Sequence, residues 1–384
     1  MNPLACIMGD MDLVRPLGLA GIPCAVVARP GDPPRFSRFT RVALDWLDSW
    51  GQTEELVEAL VRFGSAQTEP PVLFYQEDGQ LLLVSRYRDR LKQSFRFVVA
   101  DSMLVEDLVD KGRFQVLADR LALPVPATRR LYPAEGSTPT DIDIPFPLII
   151  KPVIRRSRDL ALIGSSGKAL RVDTPEALRN LWPHLVAARM DVLAQQLIPG
   201  PEDCIESYHV YVDEQGYIVG EFTGRKIRTY PMEYGHSTAV EISSSADVQM
   251  MGRDLVKRLG LRGVAKFDFK RGPDAKLYLL EINPRFNLWH HLGAVAGVNL
   301  PAMVYNNLIK PSRRVAPRAT PGVKWCAIWE DAKAAKAQGQ SLLTWLAWML
   351  NCAAKSGVAW DDPMPFLRSK LWRRLSHLMP AHAP

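Results

Sequence analysis

Residues 263–301, GVAKFDFKRGPDAKLYLLEINPRFNLWHHLGAVAGVNLP, set two acids, an amide and a guanidinium at a spacing that chemistry can use. Residues 264–270 alternate apolar and polar side chains, as a half-buried strand does, and residues 276–282 alternate again. Between them Arg271-Gly272-Pro273-Asp274 is turn chemistry, so the stretch predicts a hairpin. Asp268 lies on its first strand. Glu281 and Asn283 close the second and share a face, because side chains on a strand repeat every two residues. Three oxygen donors aimed at one spot suit Mg²⁺ or Mn²⁺, which take carboxylate oxygens and leave their remaining sites to substrate phosphates. Arg285, two residues beyond Asn283, is spaced to pair with a phosphate oxygen. A solvated surface hairpin is the competing reading, and the rest of the chain decides between the two.

A chain of 384 residues, 47% hydrophobic and 23% charged, is long enough for two or three domains with cores of their own and too apolar for disorder. Cys6, Cys24, Cys204, Cys326 and Cys352 lack CxxC spacing. That argues against a disulfide framework and a structural zinc site, and for a reducing compartment. No basic n-region opens the chain and its first apolar run breaks at Gly9-Asp10, so no secretory leader is expected and the cytoplasm is the expected address. The formal charge is +7, and residues 311–384 alone carry a basic excess as large as that of the whole chain. The body is charge-balanced. It lacks the basic stripe with interleaved aromatics that nucleic-acid binding requires, and no such partner is expected.

From the N-terminus, residues 4–8 predict a strand, 12–20 a helix and 22–28 a second strand, an α/β start. Gly9 and Gly18 do not form GxGxxG, so a dinucleotide site is not indicated. Residues 53–63 predict a helix, 70–75 a strand and 103–123 one long helix, which Pro124-Val125-Pro126 ends. FPLIIKP, residues 146–152, closes an apolar strand on Lys151, either a snorkelling end residue or a ligand contact. Gly164-Ser165-Ser166-Gly167-Lys168 is a hairpin turn or a phosphate cradle, and it does not match a P-loop.

The order of DKGRFQVLADRLALPVPAT (110–128), FPLIIKP, LAQQLIPG (193–200), GRKIRTYP (224–231), FDF (267–269) and EINPR (281–285) resembles the ATP-grasp superfamily. Within it the likeness is to the carboxylate–amine ligases that include D-aspartate ligase-like enzymes. The resemblance implies an α/β fold of three parts. A pre-ATP-grasp α/β domain spans residues 1–105. An α+β ATP-grasp domain spans 106–310, its two subdomains gripping ATP and its lid subdomain covering about 130–195. A mainly helical, basic C-terminal extension spans 311–384. By matching motif positions, Lys111 and Lys151 contact phosphates, Gln196 and Ile198 hold adenine through backbone groups, and Asp203 neighbours the ribose. Asp268, Glu281 and Asn283 bind the metal, Arg285 steadies the transferring phosphoryl group, and Lys226 and Arg228 reach the acyl phosphate and the substrate carboxylate. Either GSSGK or the cluster Arg155, Arg156 and Arg158 covers the phosphates.

The implied reaction is ATP-dependent: a carboxylate becomes an acyl phosphate, an amine displaces phosphate, and ADP is released. Small-molecule acids and amines, amino acids or cell-envelope precursors among them, are the expected substrates. The electrophile comes from ATP, so no Ser-His-Asp constellation is required. His236, His290 and His291 are the nearest groups for proton handling. Other ATP-grasp outcomes, a carboxylase or a carboxylate–thiol ligase, are the alternative, with a catalytically silent nucleotide-binding protein behind them. Biotin carboxylases carry a catalytic glutamate four residues after the corresponding arginine, where this chain has Trp289, which disfavours bicarbonate chemistry. In the tail, residues 320–329 predict a strand. Residues 342–354, LLTWLAWMLNCAA, are too short to span a bilayer and predict either a core helix or, with Trp345, Trp348, Trp372, Arg368, Lys370, Arg373 and Arg374, a helix on an anionic membrane surface.

Overall fold

The computed structural model describes residues 2–139, 142–153, 169–311 and 316–376, with side chains as far as Trp372. The arginine run and GSSGK expected over the phosphates lie outside the described residues.

The N-terminal unit is built on a parallel sheet ordered Thr40–Asp45, Cys24–Ala28, Ala5–Met8, Val72–Tyr75. The chain leaves Ala5–Met8 to one side and returns on the other at Val72–Tyr75. The carboxyl ends of these two strands therefore bound a crevice at the topological switch point, where open α/β sheets bind ligands. The Asp10 carboxylate caps the helix Met11–Leu19 by accepting from the Asp12 N–H. Two elements of this unit were not expected. Thr40–Asp45 is an edge strand with little burial, and the helix Asp78–Arg86 opens on Asp-Gly-Gln behind a capping box of Glu77 and Gln80.

The single helix expected over residues 103–123 is two, Ser102–Val109 and Lys111–Arg120. Asp110 turns out of helical geometry at ψ 118° and its carboxylate accepts from the Arg113 N–H at 2.8 Å. This cap starts the second helix on Lys111.

A seven-stranded sheet forms the centre, in the order Leu277–Asn283, Gly263–Arg271, Ile205–Val212, Ile218–Tyr230, His236–Ser243, Lys324–Ala327, Ala354–Ser356. It is antiparallel except for the last pair. The helix Ala246–Leu259 lays Val248, Leu255, Val256 and Leu259 into the core that holds Tyr208, Phe267 and Phe269. Gly260, at φ 58°, ends that helix in the left-handed conformation glycine favours. The segment expected to form the lid is a four-stranded antiparallel sheet, Thr128–Leu131, Val192–Gln196, Leu148–Pro152 and Leu170–Val172, covered by the helix Pro175–Ala187.

The C-terminal segment is mainly helical, in Ile328–Ala337, Leu342–Leu350 and Met364–Ser376, and it also supplies two strands. Lys324–Ala327 and Ala354–Ser356 complete the central sheet, and the helix Ile328–Ala337 sends Asp331 into its interior. The segment also fastens the N-terminal unit. Arg15 Nη2 meets Asp361 Oδ1 at 2.9 Å, Ser37 Oγ donates to Asp362 Oδ2 at 2.5 Å, and Trp372 lies on Gly31, where φ is 86° and a Cβ would collide with the indole.

Candidate active site

Antiparallel register sets Asp268 opposite Glu281, and Lys266 opposite Asn283. Ser207 of the neighbouring strand stands opposite Asp268 from the other side. The expected donors Asp268, Glu281 and Asn283 are therefore on one face, with Asn283 Nδ2 donating to Glu281 Oε1 at 3.1 Å. Asp268 is buried, and both its oxygens are engaged: Ser207 Oγ donates to Oδ1, and Lys266 Nζ is 2.6 Å from Oδ2. Among the described residues no group of three His, Cys, Asp or Glu side chains is arranged to hold a metal. One carboxylate and an amide remain as the accessible donors. That set fits Mg²⁺, which is commonly held by one or two carboxylates and completed by phosphate oxygens and water.

Cations from two sheets converge on this face. Lys151, half-buried at the end of its lid strand, donates from Nζ to Gln195 Oε1 at 2.8 Å, and Gln195 donates in turn to Thr128. Burial pulls its pKa below the ordinary lysine value of 10.5; Glu281 opposes the shift and Lys226 adds to it, which puts Lys151 within electrostatic reach of both. Lys111, on the first position of its helix, donates to the Pro152 carbonyl at 2.8 Å and so stands beside the same strand end. Lys270 was not expected here. The alternation that carries Asp268 to the face carries Lys266 and Lys270 with it. Burial lowers the Lys270 pKa first, Glu202 and Cys204 oppose, and Lys226 lowers it further.

Arg285 is held at the edge of the site by the N-terminal unit. Its Nε donates to Asp78 Oδ1 at 2.5 Å and its Nη2 to Asn283 Oδ1 at 3.3 Å. Asp78, a partner the sequence did not single out, begins the helix after Val72–Tyr75, so the switch-point crevice opens towards the hairpin donors.

Arg228, expected at the acyl phosphate, lies elsewhere. Irregular register on either side of it turns its side chain away from the face that holds Lys226. Its guanidinium forks onto Asp331, with Nε to Oδ1 at 2.8 Å and Nη2 to Oδ2 at 2.7 Å, and stacks 3.9 Å from the centre of the Trp348 ring. Asp331 is 0% exposed and also accepts from Thr238 Oγ1 and Trp345 Nε1, each at 2.9 Å. This is a structural junction and not an acceptor site. His290 and His291 are packed as well: His290 lies 5.3 Å from the Phe286 ring with its pKa pushed down to about 3 by burial, and His291 meets Arg15 and Asp12. His236 is exposed at a strand end.

Around the linker after Val192–Gln196, the Gln196 N–H donates to Ala127 and the Leu197 N–H to Pro147, while Ile198 is buried beside Gly272. Asp203 is exposed on the short turn Glu202–Cys204; Glu202, half-buried and acting on Lys270, stands nearer the site. Trp289 closes the other end. It is buried against His209 at 5.0 Å and crosses Gly224 so closely that a Cβ there would come within 2.5 Å of its ring.

Residues 214–328 match the family model described as ATP-grasp in the biosynthetic pathway with Ter operon. The chain is 22% identical over 286 residues to a D-aspartate ligase of Enterococcus faecium, covering 71% of this chain and 67% of that one. It is 25% identical over 183 residues to a D-alanine–D-alanine ligase of Neisseria gonorrhoeae, covering 46% and 57%, so it spans little more than half of that relative's length. In three dimensions it superposes on an L-amino acid ligase from Bacillus licheniformis with a TM-score of 0.59 at 15% identity, over 82% of this chain and 75% of the other. A biotin carboxylase from Campylobacter jejuni shares the fold equally, with a TM-score of 0.62 at 13% identity over 84% and 74%.

Proposed function

Since this chain is a member of the ATP-grasp superfamily, we propose that it is an ATP-dependent ligase that activates a carboxylate as an acyl phosphate and joins it to an amine. One observation carries the reading: the hairpin register sets Asp268, Glu281 and Asn283 on one face together with Lys266, and Lys111 and Lys151 both stand at the end of the strand Leu148–Pro152. Lysines beside carboxylate and amide donors suit a polyanion that brings its own metal, and triphosphate is such a polyanion. The carboxylate oxygen attacks the γ-phosphorus, the bond to ADP breaks, and the lysines hold the charge spread over the phosphoryl oxygens without forming a bond of their own. The amine nitrogen then attacks the acyl carbon and phosphate leaves.

Glu281 and Asn283 would hold the divalent cation, and Asp268 would join them once Lys266 releases it. Bound there, the cation neutralises phosphate charge. Lys111 and Lys151 are assigned to the phosphates, Lys226 to the acyl phosphate, Arg285 to the phosphoryl group, Gln196 and Ile198 to adenine, and Glu202 or Asp203 to the ribose. Trp289 presents an apolar wall where bicarbonate chemistry needs a carboxylate, which favours an amine acceptor. Relatives named for D-aspartate and D-alanine point to amino acids or amino-acid-bearing envelope precursors as substrates.

Hydroxylamine tests the reading, because it traps acyl phosphates as hydroxamates. With ATP, Mg²⁺ and an amino-acid panel but no amine acceptor, the chain should yield hydroxamate and ADP. Release of AMP, or ATP consumption that depends on bicarbonate, would sink it.

A further inference from the structure

The C-terminal helices turn apolar surface outward. In Met364–Ser376, at about 100° per residue, Met364, Leu367 and Leu371 fall on one stripe. All three are exposed, while Pro365 and Ser369 are buried on the opposite side. Lys370 and Arg368 flank the stripe. Lys370 Nζ sits 4.2 Å from the Phe366 ring centre and 5.1 Å from that of Trp329, its stem along the aromatics and its charge at their edge, as a snorkelling lysine is placed. In Leu342–Leu350 the inward face is Trp345 and Trp348, and the outward one carries Leu342, Leu343 at 78% exposure and Leu350 at 73%. Both helices are tied to Ile328–Ala337, the second by packing and the first through Trp329 stacked on Phe366 at 6.2 Å. Trp360, between them, is 93% exposed.

Several large apolar side chains exposed along successive helices, rimmed by charge, mark an interaction surface. The charges around them choose it. Lys333, Lys336, Arg368 and Lys370 are exposed. Of the acids on residues 328–372, Asp331 and Asp362 are buried, and of the two exposed ones Asp361 is paired with Arg15 and Arg38, so cations outnumber the remaining carboxylate, Glu330, among the described residues. A second copy of this chain would meet cations with cations across a two-fold axis. An anionic bilayer meets them with complementary charge and receives leucine and tryptophan at the depth of its headgroups. No single helix among the described residues is long and apolar enough to cross a membrane. We propose that the helices Leu342–Leu350 and Met364–Ser376 rest on an anionic lipid surface as a peripheral anchor.

Co-sedimentation of the full chain with vesicles tests this independently of any catalytic assignment. The chain should pellet with phosphatidylcholine vesicles containing phosphatidylglycerol, weakly or not with phosphatidylcholine alone, and less as salt rises. The double variant Leu367→Glu/Leu371→Glu, and separately Leu343→Glu/Leu350→Glu, should each lower the bound fraction at least about tenfold. Circular dichroism and the melting temperature should stay unchanged. No binding to anionic vesicles, or binding that both variants retain, overturns the proposal. A concentration-dependent dimer in sedimentation velocity that the same variants dissolve overturns it in favour of self-association.

Discussion

Lys226 and Arg228, two residues apart on the strand Ile218–Tyr230, face opposite fates because the register slips between them. Replacing Arg228 by Ala leaves Asp331 buried without its charge partner, which costs about 3–5 kcal/mol. Turnover per folded molecule should hardly change, and thermal melting beside an ATPase assay normalised to folded protein separates the two effects. Lys226→Met should do the reverse: a melting temperature close to that of the native chain and turnover lower by about 10²-fold, the scale of losing one stabiliser of developing charge. Glu281→Gln removes the charge of the carboxylate proposed to hold the metal, at an exposed strand end, and should abolish Mg²⁺-dependent turnover with the fold intact. Full activity in that variant would remove Glu281 from the metal site. Composition and spacing bring out the acids at once, since a carboxylate is conspicuous at a strand end. They are silent on Arg228, because a bulge is a matter of backbone register that leaves no mark on the alternation of side chains.

At the scale of elements, the hairpin is legible because one of its faces is apolar core, so its alternation is enforced by Phe267 and Phe269 on one side and puts Lys266, Asp268 and Lys270 on the other. The same alternation places Lys270 on this face, although a lysine in a sequence reads as solvated. The helix Asp78–Arg86 was not legible: its start lies in a capping box whose glutamate and glutamine resemble any polar loop. The break at Asp110 was hidden for a related reason, because the apolar periodicity runs through it and the cap alone interrupts the helix. Gly224 shows what element packing demands of a sequence. Gly224→Ala drives a Cβ into Trp289 and the Glu241 carbonyl, 2.5 and 2.7 Å away, and should cost about 1–3 kcal/mol by overpacking. It should also lower turnover by shifting the helix Trp289–Val295 against the site. A chemical denaturation midpoint equal to that of the native chain would show that the sheet and helix part there without strain.

Across the whole molecule, the N-terminal unit and the central sheet meet over a layer of histidines that burial keeps neutral. His209, stacked on Phe222 at 4.5 Å, has its pKa lowered well below 6.5 by desolvation and by Lys266, and His290 sits at about 3. The unfolded chain protonates both below about 6.5 while the folded chain does not, so each contributes stability that is complete above that value and is lost as pH falls. The loss per group is about 1.4 kcal/mol for each pH unit between 6.5 and the folded value. Denaturation midpoints compared at about pH 7 and pH 5 should therefore drop on the acid side, and His290→Leu should flatten the slope; an unchanged slope would mean that other groups carry it. The junction at Asp331 has a consequence for how the chain is made. Arg228 must wait for a carboxylate 103 residues further along, and Arg15 for one 346 residues away. While a ribosome is still producing residues 244–323, the strand His236–Ser243 has no outer neighbour, and its unpaired amides and carbonyls are open to any other strand. The sheet gains its outer strands, and Arg228 is neutralised, when residues 324–356 emerge. A nascent chain stalled at residue 310 is accordingly the species most exposed to aggregation, and the one on which chaperones should be found.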